Sequence, residues 1–448
     1  MSLAKSSKPN RHVAVFVFPF GSHPLPLVSL VQKLAREAPN VHFSFFNTAI
    51  SNTSIFPPNL PTNIKAFDLE DGMPAGHVLS GKPHEAVNLF LKAAPEMFKK
   101  AIDVAETETG LKITCMLTDA FLTFSADIAE DLRVPWIPTW TPLPCSLSAH
   151  VNTDLIRHKD AKLDFIPGLS DMYVKDLPNE VISDGLEESL FSQALGRTGG
   201  ALPRATAVVF KFYKELNPPQ LNADFESKFK SIFHVGFLTL TLPLPPILPS
   251  SSDPTGCLSW LDTQKARSVA YVSFGTVAVP PNNELMALAE ALEESKIPFL
   301  WSIKDQFQNR LPDGFLERTS SHAKIVPWTP QTQVLSHVSI GVFVTHCGSN
   351  SVYESLVNCV PMICRPFFGD QHMTGRMVES IWEIGLKAEG GVLTKSGLLK
   401  SFDLILGKEQ GKKMRERAAE LRDRVLEAAG PKGSAARDFK ALVGLIST

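Results

Sequence analysis

Short apolar runs rich in Val, Ile and Phe recur along the whole chain, with amphipathic stretches between many of them. This alternation is typical of parallel strands joined by crossover helices. Residues 25–37 and 284–295 carry apolar side chains at three- and four-residue spacing, which predicts two of the helices. The predicted strands are residues 13–18, 42–47, 113–119, 136–140 and 207–212, followed by 269–275, 298–304, 323–328, 341–345 and 361–367. We therefore expect an α/β fold with two doubly wound halves.

A proline-rich segment separates these halves. Residues 239–254, TLTLPLPPILPSSSDP, contain five prolines in sixteen positions, a density that no helix interior or central strand accepts. The length of 448 residues fits two or three domains at about 150 residues each. We predict an N-terminal domain at 1–238, a linker at 239–254, a C-terminal domain at 255–430 and a terminal helix at 431–448.

Charge and cysteine content exclude several classes of protein. The 44 Lys and Arg residues balance 46 Asp and Glu residues, so a nucleic-acid or anionic-membrane surface is not indicated. The six cysteines form no C-x-x-C pair, which argues against a zinc site and against a disulfide framework. The first apolar run is too short for a signal peptide or a membrane span. We expect a monomeric, soluble, cytoplasmic protein with a small-molecule partner.

Three common nucleotide and hydrolase motifs are missing from the sequence. The first predicted strand runs into PFGSHP at residues 19–24 rather than into G-x-G-x-x-G, which argues against NAD or FAD. Neither a G-x-x-x-x-G-K-[ST] phosphate loop nor a G-x-S-x-G nucleophile elbow occurs. ATPase and serine hydrolase functions therefore lack their usual support.

The most informative segment is residues 328–371. Its middle is a predicted strand, 341–345, followed by a small-residue turn at 346–350 and a helix that restarts near Ser351. Free backbone N–H groups and the positive helix end at such a turn can bind a pyrophosphate. A structural explanation also fits, because Ser351-x-x-Glu354 has the spacing of a helix capping box.

This segment resembles the signature box of the plant secondary-product, UDP-sugar-dependent glycosyltransferases. It carries W-x-P-Q at its start, H-x-G-x-N-S-x-x-E in its middle and D-Q at its end, and residues 21–23, 118–121, 256–262 and 271–276 also match such enzymes. The stretch VPMICRPFFGDQ and the ending GPKGSAARDFKALVGLI are most similar to flavonoid and anthocyanidin 3-O-glucosyltransferases. The resemblance implies a GT-B fold, in which two Rossmann-like domains face a cleft.

The resemblance also implies a reaction and a donor site. Glucose would be transferred from UDP-glucose, a co-substrate, with inversion and without a metal or cofactor, and no Asp-x-Asp motif is present. Trp328 would stack on uracil, Thr329 would contact it through the backbone, and Gln331 and Glu354 would hold the ribose. Outside the family, Trp328 would be a core residue and Asp370 with Gln371 a helix cap. The implied contacts to diphosphate and sugar are Thr276, His346, Gly348, Ser349, Asn350 and Ser351, then Thr141, Asp370 and Gln371.

Proton abstraction from the acceptor hydroxyl requires a base within hydrogen-bond reach whose pKa lies near neutrality. His23 follows the first predicted strand, at the carboxyl edge where open α/β sheets bind ligands. Asp119 ends another strand and, by resemblance, would bond the second imidazole nitrogen and fix the tautomer. The alternative is that His23 is an ordinary loop or cap residue.

Acceptor contacts follow from family position alone, and the implied residues are Phe20, His84, Phe121, His150, Phe191 and Phe368. Flavonols, anthocyanidins, stilbenes and simple phenols all remain candidates.

Two positions depart from the family: Ser349 replaces a usual Trp, which leaves the choice of sugar open, and Lys211 replaces a frequent Asn. Gln371 favours glucose over galactose. The rival functions are a non-catalytic aromatic-binding protein and a nucleotide-sugar epimerase, which would need the missing nicotinamide motif.

Overall fold

The structure, a computed structural model, describes residues 9–56, 59–81, 84–157, 162–182, 189–244 and 253–448. The chain divides into two compact units, Met1–Thr239 with Ala428–Thr448, and Leu240–Glu427. Residues 245–252, the middle of the proline-rich segment, lie outside the described residues.

The first unit contains a seven-stranded parallel sheet with the order β3-β2-β1-β4-β5-β6-β7. Its strands are β1 (Arg11–Phe16), β2 (Val41–Thr48), β3 (Ile64–Leu69), β4 (Cys115–Asp119), β5 (Trp136–Trp140), β6 (Val208–Phe210) and β7 (Ile232–His234). Val13 and Val15 of β1 are fully buried in the core of this unit. Such burial explains why the central strand is a continuous apolar run.

The helices of this unit alternate with the strands. They are α1 (Pro24–Glu37), α2 (Ala49–Ile55), α3 (Glu85–Thr109), α4 (Ser125–Leu132), α5 (Pro144–Val151), α6 (Thr153–Ile156), α7 (Asn179–Ile182), α8 (Leu190–Gly196), α9 (Thr198–Ala201) and α10 (Pro219–Lys228). Helix α1 begins with Pro24, whose fixed φ suits the first turn. Its residues Leu27, Leu30, Val31 and Leu34 are buried and form one apolar face.

The second unit contains a six-stranded parallel sheet with the order β10-β9-β8-β11-β12-β13. Its strands are β8 (Val269–Ser273), β9 (Phe299–Ser302), β10 (Ala323–Val326), β11 (Ile340–Thr345), β12 (Met362–Cys364) and β13 (Gly385–Lys387). Its helices are α11 (Cys257–Asp262), α12 (Asn282–Ser295), α13 (Asp305–Gln308), α14 (Phe315–Thr319), α15 (Gln331–Ser336), α16 (Ser349–Val357), α17 (Gln371–Arg376), α18 (Lys395–Phe402) and α19 (Glu409–Ala429).

The last helix, α20 (Ser434–Ser447), belongs to the first unit. Leu442 and Ile446 are buried in the same core as β1. The backbone N–H of His234 in β7 donates to Oδ2 of Asp438 at 2.8 Å, and Ser434 Oγ donates to Glu215 at 2.6 Å. Apolar burial and two polar contacts therefore hold α20 in place.

Each of the ten predicted strands overlaps an observed strand, and both predicted helices are present within two residues of their predicted starts. The strands missing from the prediction, β3, β7 and β13, all lie at a sheet edge. Edge strands here are short or partly exposed, so they lack the continuous apolar run of a central strand. The two Rossmann-like domains are those of the GT-B fold.

Both sheets reverse the direction of their strand order at one place. In the first sheet this place is between β1 and β4, and in the second it is between β8 and β11. Open α/β sheets bind ligands beyond the carboxyl ends of their strands at such a switch point. Residues that follow these four strands are therefore the first candidates for a site in each unit.

Candidate active site

His23 and Asp119 meet at the switch point of the first sheet. Asp119 is the last residue of β4 and is fully buried, while His23 precedes α1 in the loop after β1. Nδ1 of His23 lies 2.8 Å from Oδ2 of Asp119, and Oδ1 of Asp119 accepts the N–H of Phe121 at 2.9 Å. His23 occupies the N-cap position of α1 but makes no capping hydrogen bond with its side chain. His23 therefore stands at the cap position, but its side chain binds Asp119 instead of capping the helix.

This contact fixes the proton on one nitrogen of His23. A carboxylate only accepts hydrogen bonds, so the proton between the two side chains is carried by Nδ1. The lone pair of a neutral His23 is then on Nε2, which is the arrangement that a general base needs. The geometry joins the two residues as a dyad.

Thr141 also contacts this imidazole. Its Oγ1 lies 3.0 Å from Nδ1 of His23, and the residue is almost fully buried just after β5. The resemblance assigned Thr141 to the donor sugar, whereas the described contact is with His23. Neighbouring Trp140 is also buried, and its indole N–H donates to the Leu143 carbonyl at 3.0 Å.

Five of the six predicted acceptor residues belong to one group of aromatic rings around His23. The Phe121 ring lies 4.4 Å from that of His23, and the rings of His84 and Phe191 are 5.0 Å apart. The Phe18 ring joins Phe20, His23 and Phe191 at centroid distances of 5.2, 5.1 and 5.9 Å. His150 connects through Trp140, which packs on Phe121. Phe368 belongs to the second unit and is about half exposed.

The sequence analysis missed Phe18, although the Phe18 ring contacts the rings of Phe20, His23, Phe121 and Phe191. The residue ends the first predicted strand and so reads as core, and it is buried. His150 is buried too, with no hydrogen-bond partner at Nδ1, and burial lowers its pKa to about 4. A ring nitrogen that carries no proton can accept a hydrogen bond.

The switch point of the second sheet is occupied by His346, the residue after β11. Helix α16 begins at Ser349 with Gly348 as its N-cap, which places Ser349, Asn350 and Ser351 in the first helical turn. The helix therefore starts two residues earlier than predicted. Gly348 at its N-cap lies beside the imidazole, and the free N–H groups of such a helix start can bind an anion.

Two glycines give the His346 ring its space. A Cβ on Gly275 would lie 2.8 Å from Cε1 of the ring, and a Cβ on Gly348 would lie 2.4 Å from Nε2. Gly275 also has a φ of +73°, which favours glycine. Burial lowers the pKa of His346 to about 4, so the ring is neutral at pH 7. Neighbouring Thr276 is exposed, and its carbonyl accepts Lys304 Nζ at 3.1 Å, a cation that the sequence prediction missed.

Trp328 is 58% exposed directly after β10. The alternative of a core tryptophan is therefore wrong, and the indole face is available to a flat ring. Beside it, Thr329 is buried and its Oγ1 lies 2.7 Å from the hydroxyl of Tyr271 in β8. The Thr329 side chain is thus occupied within the protein.

A hydrogen-bonded network connects the residues predicted to hold a ribose. Gln331 Nε2 donates to Glu354 at 2.6 Å and to Ser351 Oγ at 2.8 Å, while Tyr271 donates to Gln331 Oε1 at 3.1 Å. Thr332 Oγ1 donates to the other Glu354 oxygen at 2.8 Å. Burial raises the pKa of Glu354. Ser351 and Glu354 bond Gln331 rather than form a capping box, so that alternative is wrong, and Tyr271 and Thr332 are additions to the predicted set.

Asp370 and Gln371 lie where β12 leads into α17. Asp370 is at the N-cap position of α17, as the alternative interpretation expected, but its side chain makes no capping hydrogen bond. Oε1 of Gln371 accepts the N–H of Phe367 at 2.9 Å and that of Phe368 at 3.4 Å. Gln371 therefore organises its own loop.

Two further features of the described residues concern metals and membranes. Nowhere in the described ranges do three or more His, Cys, Asp or Glu side chains come together in a way that could hold a metal ion. Among the described helices, none has the length and apolar character needed to cross a membrane. Lys211 is buried in the first unit, and its replacement of Asn has no explanation in the structure.

Known proteins of the same size and fold are similar to this chain. The anthocyanidin 3-O-glucosyltransferase UFGT of Vitis vinifera is 48% identical over 98% of both chains, and a flavonol 3-O-glucosyltransferase of Actinidia chinensis var. chinensis is 49% identical over 98% of this chain and 97% of its own. An anthocyanidin 3-O-galactosyltransferase of that species is 48% identical over 100% of this chain and 99% of its own.

A solved structure and a family model agree with these relatives. The crystal structure of a UDP-glucose: anthocyanidin 3-O-glucosyltransferase in complex with UDP is 50% identical, with a TM-score of 0.93 over 98% of this chain and 100% of that chain. The model of the family described as UDP-glucoronosyl and UDP-glucosyl transferase matches residues 82–423. The family model and these similar proteins lead to one conclusion: the chain is a glycosyltransferase that belongs to the UDP-glucoronosyl and UDP-glucosyl transferase family.

Proposed function

We propose that this enzyme transfers glucose from UDP-glucose to the 3-hydroxyl of a flavonol or anthocyanidin, with inversion of the anomeric carbon and without a metal ion. The observation that carries the proposal is the His23–Asp119 pair, set among aromatic rings at the first switch point. Relatives at 48% and 49% identity are an anthocyanidin and a flavonol 3-O-glucosyltransferase. In this reaction residues 1–238 bind the acceptor and residues 255–430 bind the donor.

His23 acts as the general base. Its Nε2 takes the proton of the acceptor hydroxyl while that oxygen forms a bond to the anomeric carbon of glucose. The bond from that carbon to the diphosphate oxygen breaks, and UDP leaves with the electron pair. Asp119 holds the Nδ1–H tautomer before the reaction and stabilises the imidazolium that results.

The donor is bound by residues of the second unit. Trp328 stacks on uracil beside the Thr329 backbone, and Gln331 and Glu354 hold the ribose hydroxyls. The N–H of neutral His346 and the first turn of α16 with Ser349, Asn350 and Ser351 stabilise the diphosphate, together with Thr276. Asp370 and Gln371 contact the sugar hydroxyls.

The acceptor is an aromatic compound with a free hydroxyl. Phe20, Phe121 and Phe191 supply flat apolar contacts, and unpaired Nδ1 of His150 accepts a hydrogen bond from a ligand hydroxyl. His84 and Phe368 complete the proposed acceptor set. We expect the enzyme to act in the cytoplasm, since none of its six cysteines forms a disulfide, and to act as a monomer.

An assay with purified protein tests the proposal. UDP-glucose is supplied in EDTA with kaempferol, quercetin, cyanidin, resveratrol or a simple phenol, and product mass, UDP release and the linkage in the product are measured. A β-linked 3-O-glucoside in EDTA is expected. Transfer only to stilbenes or phenols, transfer only from UDP-galactose, or dependence on a divalent cation would contradict the corresponding part of the proposal.

One variant separates the enzyme from a protein that only binds aromatic compounds. His23→Ala is expected to abolish transfer and to leave UDP affinity within twofold of the wild type. Wild-type protein that binds UDP and a flavonol but produces no glucoside, with His23→Ala binding both equally well, would establish the binding function instead.

A further inference from the structure

A buried ion pair lies next to the segment that carries Asp370 and Gln371. Arg365 directly follows β12 and is 9% exposed, and Glu284, in the first turn of α12, is 2% exposed. Nε of Arg365 donates to Oε2 of Glu284 at 2.6 Å, and Nη2 donates to Oε1 at 2.5 Å. The Leu393 N–H donates to Oε2 at 2.8 Å. Two parallel bonds fix the plane of the guanidinium as well as its position.

Residues 365–371, here called the sugar loop, begin at Arg365 and contact its guanidinium. Nη1 of Arg365 donates to the carbonyl of Pro366, and the guanidinium carbon lies 4.3 Å from the centre of the Phe367 ring. The N–H groups of Phe367 and Phe368 in turn donate to Oε1 of Gln371. An unbroken series of contacts therefore runs from Glu284 to Gln371.

These contacts determine which atoms of Gln371 can meet a ligand. Its carbonyl oxygen faces the loop backbone, so the NH2 group at the opposite side of the amide is the part that can meet a sugar oxygen. Gly369, with a φ of +60°, turns the chain just before Asp370. Any tilt at Arg365 would shift both the Asp370 carboxylate and the Gln371 amide.

We propose that Glu284 and Arg365 are positioning residues that set the sugar loop for recognition of the donor's sugar, without contacting that sugar. This inference rests on the proposed function, because it takes the loop to bind the sugar of a UDP-sugar. Through the sugar loop, the pair affects binding of the donor's sugar and not binding of its uridine. A comparison of the affinities for UDP-glucose and for UDP therefore isolates the contribution of the sugar.

The same helix offers a matched control. Glu293, also on α12, binds Arg318 through two parallel bonds of 2.6 and 3.1 Å. Arg318 is an exposed residue of α14, and among the described residues its other hydrogen bond goes to the carbonyl of Asp313 at 2.6 Å rather than to the sugar loop. Glu293→Gln removes the same charge from the same helix as Glu284→Gln. A difference between the two variants reports on the sugar loop.

Binding of UDP and of UDP-glucose is measured by calorimetry for the wild type, Glu284→Gln and Glu293→Gln. We expect Glu284→Gln to weaken UDP-glucose binding at least tenfold and UDP binding less than twofold, and to lower the preference for UDP-glucose over UDP-galactose at least fivefold. Glu293→Gln is expected to change none of these values by more than twofold. Equal weakening of UDP and UDP-glucose by Glu284→Gln would overturn the proposal.

A double variant separates positioning from a simple loss of stability. An unpaired buried charge destabilises a protein, whereas replacement of both partners by apolar residues of similar volume often does not. Glu284→Leu with Arg365→Met is therefore expected to recover the melting temperature of the wild type but not the affinity for UDP-glucose. Recovery of both would assign the pair a structural role only.

Failure of the proposed function gives a different result. Wild-type protein that binds UDP-glucose but transfers it to no acceptor would refute the proposed function, while the binding measurements would still decide the role of the ion pair. Wild-type protein that binds UDP and not UDP-glucose would refute both.

Discussion

The imidazole of His23 and the carboxylate of Asp119 are 2.8 Å apart, although 96 positions separate these residues in the sequence. The parallel pairing of β1 with β4 produces this contact, because it brings the residues after both strands to one edge of the sheet. The carboxylate is fully buried and uses its second oxygen for the Phe121 N–H. The histidine therefore has one orientation and one tautomer.

Asp119→Asn should reverse that tautomer. The amide NH2 of Asn would donate to Nδ1, the ring proton would move to Nε2, and the base would be lost. We expect the rate of transfer to fall about 10³–10⁴-fold. UDP affinity should stay within twofold, as measured by calorimetry. Asp262→Asn, which alters the Asp262–His337 contact of 3.1 Å in the second unit, is the control and should keep wild-type activity.

Thr141→Val should reduce turnover by removing the second oxygen from Nδ1 of His23. One neutral hydrogen bond contributes about 1 kcal/mol, so a fall in kcat of about fivefold is expected, with little change in KM for UDP-glucose. Thr141→Ser keeps the hydroxyl and should restore the rate. A rise in KM for UDP-glucose with unchanged kcat would instead assign Thr141 to the donor sugar.

Trp328→Ala should weaken UDP binding without affecting folding. Stacking of a base on an aromatic side chain contributes about 1–3 kcal/mol, which corresponds to a rise in Kd of about 5- to 150-fold. Because Trp328 is 58% exposed, the melting temperature should not fall. Trp382→Ala, at a fully buried position in the same unit, should lower the melting temperature by several degrees. A stable Trp328→Ala variant with wild-type UDP affinity would refute the stacking role.

Tyr271→Phe should weaken UDP binding, because the Tyr271 hydroxyl hydrogen-bonds Thr329 and Gln331. The variant leaves the ring in the core but removes hydrogen bonds to Thr329 and Gln331. A rise in Kd for UDP of about fivefold is expected from the loss of about 1 kcal/mol. The Kd for inorganic diphosphate should not change, because the network lies on the uridine side. A parallel loss for both ligands would show a general disturbance of the unit.

Acid should destabilise the first unit through His234. Burial, with a smaller effect from Lys214, lowers the pKa of His234 to about 3. The unfolded chain takes up this proton near pH 6.5 and the folded chain does not, so stability falls as the pH decreases from about 6.5 towards 3. His234→Phe removes this titration and should reduce the slope of unfolding free energy against pH by up to about 1.4 kcal/mol per unit. An unchanged slope between pH 6 and 4.5, measured by denaturant titration, would contradict this.

Central strands, the two halves and the residues around the signature box were predictable because each leaves a local signal. Val13 and Val15 belong to a continuous apolar run. The strand that ends at Thr345 and the helix that starts near Ser351 lie within one short stretch of sequence. Edge strands β3, β7 and β13 give no such run, because edge positions are shorter and less buried.

Contacts between distant side chains could not be predicted in the same way. Nothing near Thr141 indicates that its hydroxyl meets His23, and nothing near Tyr271 indicates Gln331. The exposure of Trp328 is likewise a property of the folded unit, since tryptophan is usually buried. Glu284 lies 81 positions from Arg365, so no short sequence motif indicates that the two residues form an ion pair.

The two glycines around His346 have a consequence for how such an enzyme can diversify. Phenylalanines of the acceptor set can change one at a time, because each contributes only part of an apolar surface. Gly275 and Gly348 cannot change in this way, since even alanine at either position would displace the imidazole of His346. Selection for new acceptors, in nature or in the laboratory, therefore has freedom in the first unit, while the two glycines at the proposed diphosphate site have no tolerated replacement.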